Sequence, residues 1–446
     1  MRRPCRQIAV FLFTADLVAA GCSTTEEPDD SGGDVADATD GTGATSTPGT
    51  SAPGTTTANP DPDASSTAAS TADGSDGGSD STGAASDRVP MFVAQGMIGR
   101  TTISCDDGHT WVADRAWDQE GDPLVCGSTD PIRCFSGACQ FADGDGCQMQ
   151  AADCDCGHNP GFSKGVVFGD DAFVATWGWG YSGSVRRSVD GVNWQETLGE
   201  DVTFGGLAYG AGTFVLSSRD PQHSPDGIVW TAGQEADFHG DNGEITWSVR
   251  RFAFADYDTG RFIATAYPPH SVLVSSDGGQ TWWPPSVRPA QCLLDQSEYG
   301  GIAYGDGVVV SVGSDGTACR STDGGDTWEL GSVGGDNILG HLVFTGDEFA
   351  VWAPGTRYTS PDGVAWTSTA TTPEGVWIGP VAHSEATGTF VAVDRVWSGY
   401  EDQTFLRSED GIAWEPLGEG AFVGGHPIFH IAFGWGEPSE VCPGPA

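Results

Sequence analysis

The octapeptide SCDDGHTW (Ser104–Trp111) sets a cysteine, two acids and a histidine close together in the chain. These are the residue types from which acid–base, nucleophilic and metal sites are made. Six relatives of the segment decide how to read it. SSDGGQTW (Ser275–Trp282) and STDGGDTW (Ser321–Trp328) are full copies. SVDGVNW (Ser188–Trp194), SPDGIVW (Ser224–Trp230), SPDGVAW (Ser360–Trp366) and SEDGIAW (Ser408–Trp414) are one residue shorter and lack the Thr. His109 becomes Gln280 and Asp326 in the full copies, so it sits at a variable position. What recurs is Ser, Asp, Gly and Trp. Successive copies start 84, 36, 51, 46, 39 and 48 residues apart, a spacing that marks a repeat architecture. Asp and Ser side chains bond nearby backbone in tight turns, Gly permits a positive φ, and Trp supplies an apolar wedge. Asp106, Asp190, Asp226, Asp277, Asp323, Asp362 and Asp410 are therefore expected to belong to the scaffold.

The elements between the copies share one grammar. GGIAYGDG, then VVVSVG, then SDGTACR lead into the copy at Ser321. Each apolar piece is short, rich in Val, Ile, Phe and Tyr, and bounded by Gly or Asp, which is a strand pattern. The order recurs from Lys164, Gly205, Arg250, Gly340 and Gly379. Four such strands make one propeller blade. The ends are informative. Ile428–Gly434 reads as a first strand with no second strand behind it, and Met91–Ala94 as a second strand with no first strand before it. Together they complete one blade shared between the termini. The expected fold is all-β: a seven-bladed β-propeller of four-stranded antiparallel blades over 88–446, with six or eight blades as the alternative count. Closure removes exposed sheet edges.

On those residues the repeated motif resembles the Asp-box, or BNR repeat, of sialidase-type propellers, over about 88–446. The resemblance implies that each copy lies at the turn between the third and fourth strands, away from the active centre. It does not carry sialidase chemistry. Such catalysis needs three clustered Arg, a Tyr nucleophile assisted by Glu and an acidic proton donor. Here Arg is scattered, and Arg88-Val-Pro90 only echoes the family's Arg-Ile-Pro. Other Asp-box propellers hydrolyse polysaccharides with a carboxylate pair, and others assist photosystem assembly. The acids are too numerous for the sequence to nominate such a pair, so no catalytic residue is assigned.

The chain of 446 residues carries 62 acids against 19 Lys and Arg, a net charge of −43. That excludes a nucleic-acid surface and disfavours adhesion to anionic lipid. Residues 1–22 read as an export signal: Arg2, Arg3 and Arg6, an apolar run from Ile8 to Ala20, then small residues. Val18-Ala-Ala-Gly-Cys22 resembles the bacterial lipobox, with Ala19 where Leu is usual. The resemblance implies lipidation of Cys22 and a lipid anchor in the bacterial cell envelope, or secretion if Cys22 is unmodified. Residues 23–87 hold Ser, Thr, Gly, Ala, Asp and Pro, thirteen acids and no base or aromatic ring. They read as a disordered tether.

Cys126, Cys134, Cys139, Cys147, Cys154 and Cys156 cluster in an insertion at about 120–160, which accounts for the 84-residue gap. No CxxC pair supports zinc, and no metal or cofactor is assigned, with calcium left open. In an exported chain disulfides are the default. Cys292 with Cys319, and Cys105 with Cys442 across the ring closure, are the expected pairs outside the cluster. A Cα separation beyond about 7 Å would exclude either one.

In a propeller the loops joining fourth to first strands and second to third strands gather on one face, opposite the repeated motif. Trp177, Trp179, Tyr181, Tyr267, Trp397 and Tyr400 are the candidate ligand-binding rings there, suited to sugars or peptides; the alternative is that they fill gaps between blades. Lys164, Arg250, Arg251, His341 and His430 fall at the starts of first strands, near the axis, where a small anion or carboxylate could sit. The expected protein is a monomeric, surface-tethered binding module for a glycan, a peptide or an envelope protein, with a polysaccharide hydrolase or an assembly factor as the alternatives.

Overall fold

The structure, a computed structural model, describes residues 88–96, 99–115, 133–135, 138–140, 161–179, 183–200, 204–218, 221–233, 249–266, 271–289, 292, 301–338, 341–394, 403–417 and 427–444. The leader, the tether and most of the Cys-rich insertion lie outside these residues. The described strands form seven antiparallel blades and a small hairpin, Arg133–Phe135 with Ala138–Gln140.

Blade one joins the two ends of the chain. Its order is Ile428–Gly436, Val89–Gly96, Thr101–Ser104 and Val112–Arg115. Ile431 pairs with Ala94 and Phe433 with Phe92, as the unmatched terminal strands require. Blades two to seven follow in sequence, with first strands Gly161–Gly169, Leu207–Gly210, Val249–Ala255, Gly301–Gly305, Val343–Phe344 and Val381–His383. These six and Ile428–Gly436 touch one another in a closed circle, the seventh against the first. The first strands therefore line the axis.

Blade four departs from the four-stranded plan. After its third strand, Ser271–Ser275, the fourth shrinks to one bridge, Val274 with Trp283. Pro284 and Pro285 follow at once, and proline cannot donate to a ladder. The chain crosses instead to blade five, where Val287 bridges Thr327.

The core lies between blades. Seven apolar clusters each join two neighbours, from blades one and two (Met91, Val93, Phe173, Trp177) round to blades seven and one (Phe405, Val391, Phe92, Ile431). Middle strands are covered on both faces, so Val308–Val312 and Phe349–Ala353 are buried throughout. Near the axis an aromatic ring of one first strand lies on a glycine of the preceding one. A Cβ on Gly210 would stand 1.9 Å from the Phe254 ring, and Gly169, Gly305 and Gly434 meet Tyr209, Phe344 and Phe168 in the same way.

Every repeated motif sits between the third and fourth strands of its blade. In all seven the Ser Oγ donates to the Asp Oδ1, at 2.8–3.2 Å. The following Gly has positive φ, between 66° and 95°, which is why Gly is required there. The Trp Nε1 donates to that Gly carbonyl in five copies. The Gly also packs on the preceding blade: Gly279 on Val215, Gly363 on Val310, Gly411 on Trp352. Arginines complete this joint. Arg187, Arg320 and Arg407 donate through Nε to the carbonyls of Asp226, Asp362 and Asp107 in the next blade, and Arg261 reaches the carbonyl of Asp323. The motif thus fastens blade to blade as well as turning the chain.

Blade one has an added fastening. Asp107, at φ 59°, stands where full copies carry Gly. Its carboxylate accepts from Thr387 Oγ1 (2.6 Å), Thr389 Oγ1 (2.6 Å) and Arg407 Nη2 (2.8 Å) of blade seven. Both expected disulfides form: Cys105–Cys442 with Cα atoms 5.8 Å apart, and Cys292–Cys319 at 5.7 Å.

Candidate functional site: an axial basic pocket

At one mouth of the channel the first strands enclose a cavity of about 160 Å³. Six of them contribute the same two positions: Gly165–Val166, Gly206–Leu207, Arg251–Phe252, Gly301–Ile302, His341–Leu342 and His430–Ile431. The second residue of each pair is apolar and turns to a neighbour. The first is Gly in three strands and Arg or His in the other three, so half of these rim positions carry no side chain and half a long polar one. Lys164 joins from the position before Gly165. Among the described residues that line it there is no Asp or Glu.

Backbone irregularity sets these side chains. Register shifts fall between Ser163 and Gly165, between Val249 and Arg251, and opposite Gln95 and Gly96, leaving Lys164, Arg250 and Phe429 as extra residues. Such bulges re-aim side chains and recur at functional rims. Lys164 reaches the cavity, with its Nζ 5.7 Å from the Phe162 ring. Arg251 lines the cavity.

The two histidine rings lie 5.6 Å apart, tilted by 33°. His430 Nδ1 is 3.1 Å from Ser163 Oγ. Both imidazoles are held well below the usual histidine range: His341 by burial, then by Arg251 and His430; His430 by burial, then by Arg251 and Lys164. They are neutral at pH 7 and face fixed positive charge.

The opposite mouth differs. There the turns between first and second strands carry Asp170, Asp171, Asp256, Asp258, Asp306 and Asp347. Strand direction puts the repeated motif on that side too.

The sequence-nominated rings fare unevenly. Trp177 is a correction: it is fully buried between blades one and two, with its Nε1 donating to the Gly96 carbonyl at 3.0 Å. A second strand is covered on both faces, so that ring cannot stack on a ligand. Trp179 ends the strand Ala172–Trp179. Tyr181, Tyr267, Trp397, Tyr400 and Cys22 lie outside the described residues. Trp377, which sequence reasoning passed over, is 48% exposed in the connection from Thr367–Ala370 to Val381–His383. That connection runs on the pocket side. Among the described residues no group of three or more His, Cys, Asp or Glu is placed to hold a metal.

The seven motif aspartates all titrate below the usual 3.8. In Asp106, Asp190, Asp277, Asp323 and Asp410 burial opposes this, and hydrogen bonds outweigh it. In Asp226 and Asp362 backbone N–H donors lead. A depressed folded value means that the unfolded chain binds protons first. Stability is then complete above the unfolded value and falls as pH drops. Two losses are expected: one starting below the usual 6.5 of His341, His430 and His383, all lowered by burial, a second below 3.8. Melting temperature measured from pH 8 to 3 checks this, and glutamine at His341 and His430 should reduce the first loss and leave the second unchanged.

No protein-family model matches the chain, and no curated protein matches it. Among solved structures, YCF48 bound to D1 peptide is similar at 15% identity and TM-score 0.39, over 73% of this chain and 90% of that one. YCF48 from Cyanidioschyzon merolae gives 14% and 0.43, over 59% and 86%. Virginiamycin B lyase from Staphylococcus aureus gives 9% and 0.43, over 57% and 83%. None of these likenesses reaches beyond general architecture. The class of this protein, a seven-bladed β-propeller, is defined by its own strand order.

Proposed function

We propose that this chain is a recognition propeller, lipid-anchored through Cys22 at the bacterial surface, that binds a peptide, an envelope protein or a glycan on the pocket face. One observation carries the reading. A chain with net charge −43 brings Lys164, Arg251, His341 and His430 to a single cavity at the axis. The motif face is occupied by fastening the blades, so the pocket face is the side left for a partner. Membership of the Asp-box group is part of the proposal, resting on the seven Ser–Asp–Gly–Trp turns.

Arrayed glycans and a displayed peptide library, probed with the mature protein, test the reading. Trp377→Ala, which removes an exposed ring, and Trp397→Ala are expected to weaken binding about tenfold without lowering the melting temperature. Unchanged affinity in both variants would refute an aromatic contribution. Polysaccharide turnover abolished by one carboxylate substitution would replace binding with hydrolysis. Mass spectrometry of the mature N-terminus tests the anchor; an unacylated start beyond Cys22 would remove it.

A further inference from the structure

The geometry points to the axial pocket as an oxyanion site that takes one carboxylate group, from a small organic acid or from a peptide. Four features converge on it. First, the one lysine of the chain and Arg251 both line the cavity, and no acid is among the described residues that line it. Lys164 and Arg251 keep contacts with the protein, yet their charge still sets the potential inside a low-dielectric wall. Second, His341 and His430 can each present a ring N–H to an anion, and Ser163 beside His430 can fix its tautomer. Third, Gly165, Gly206 and Gly301 place no side chain at the equivalent rim position, so the cavity is not filled by its own strands. Gly301 is also held by backbone: a Cβ there would lie 2.9 Å from the Leu342 nitrogen. Fourth, about 160 Å³ is small beside the ~300–1,000 Å³ of ordinary ligand pockets, so it admits a headgroup rather than a whole sugar.

An anion here also changes the histidines. Among the described residues, burial and the neighbouring Arg251, Lys164 and second imidazole favour the neutral rings, with Ser163 beside His430. A bound carboxylate reverses that balance, so binding takes up protons and tightens on acidification.

The proposal uses the same pocket as the proposed function but needs no macromolecular partner. The test is imidazole NMR of the whole mature chain, with signals assigned through His341→Gln and His430→Gln. Acetate, succinate, and one short peptide with either a free or an amidated C-terminus are added at constant ionic strength against chloride. Saturable shifts of both imidazoles, with their titration moved to higher pH, are expected, and Lys164→Gln or Arg251→Gln should weaken them about tenfold. A free-terminus peptide that binds tighter than its amide and than acetate identifies a peptide source; equal binding of acetate and peptide identifies a small acid. Shifts that never saturate, or that match chloride, overturn the proposal, as does full affinity in folded Lys164→Gln and Arg251→Gln. Carboxylate binding without any array partner would leave this inference standing and sink the proposed function; an array partner without carboxylate binding would do the reverse.

Discussion

Alanine at Trp352 is expected to lower the unfolding free energy by about 3–5 kcal/mol, the range for deleting a buried aromatic side chain. Trp352 is fully buried in the second strand of blade six. Its ring meets Phe390 at 5.7 Å and Trp414 at 6.0 Å, both in blade seven. Its Nε1 donates to the Gly411 carbonyl at 2.8 Å, inside the motif turn of blade seven. Alanine would leave a cavity at the joint of two blades and remove a bond that holds one blade's turn to its neighbour. The Gly411 carbonyl keeps Trp414 as a donor, at 3.1 Å, so most of the loss comes from packing. Trp352→Phe should therefore recover more than half of it. Urea unfolding measures both variants. A loss under about 1 kcal/mol for alanine would mean that blades six and seven are not joined in this way.

The second large effect is at the closure of the ring. Cys442→Ser is expected to lower stability by about 2–5 kcal/mol. The Cys105–Cys442 bond spans 337 residues, and Cys442 is fully buried against blades one and two. In the chain-entropy view the gain grows with the loop closed. The Cys292–Cys319 bond spans 27 residues and should contribute about 2 kcal/mol less. Blade one is also the blade built from both ends of the chain, where Ile428–Gly436 and Val89–Gly96 are otherwise held by their ladder and by apolar packing alone, with no covalent link. Denaturant curves of Cys442→Ser and Cys292→Ser compare the two bonds. Equal losses would show that loop length does not govern their contributions.

Seven Ser–Asp–Gly–Trp copies counted the blades because each copy fills the same turn between third and fourth strands. The orphan first strand at Ile428 and the orphan second strand at Met91 exposed the shared blade. Those signals are local, and they repeat. The missing fourth strand of blade four was also written locally, in Trp283-Pro284-Pro285, but a repeat template hides such a departure. The pocket was half legible. Lys164, Arg251, His341 and His430 could be placed at first-strand starts, yet the bulges at Lys164 and Arg250 have no signature in apolar alternation. Trp177 misled because WGWGY looks like a surface patch; burial on both faces of a second strand follows from neighbouring blades, which no short window contains. The clamp arginines, Arg187, Arg320 and Arg407, each directly before the motif Ser, carried a pattern that could have been found.

The central claim is that the motif face holds the ring together and the pocket face recognises a ligand. Calorimetric titration of succinate into wild type, Arg251→Gln and Asp323→Asn puts that claim to one measurement. Arg251→Gln should lose about tenfold in affinity with little change in melting temperature. Asp323→Asn, which weakens the bonds from Ser321 and Thr327, should melt earlier and bind succinate as wild type does. Binding lost in folded Asp323→Asn and kept in Arg251→Gln would contradict the account.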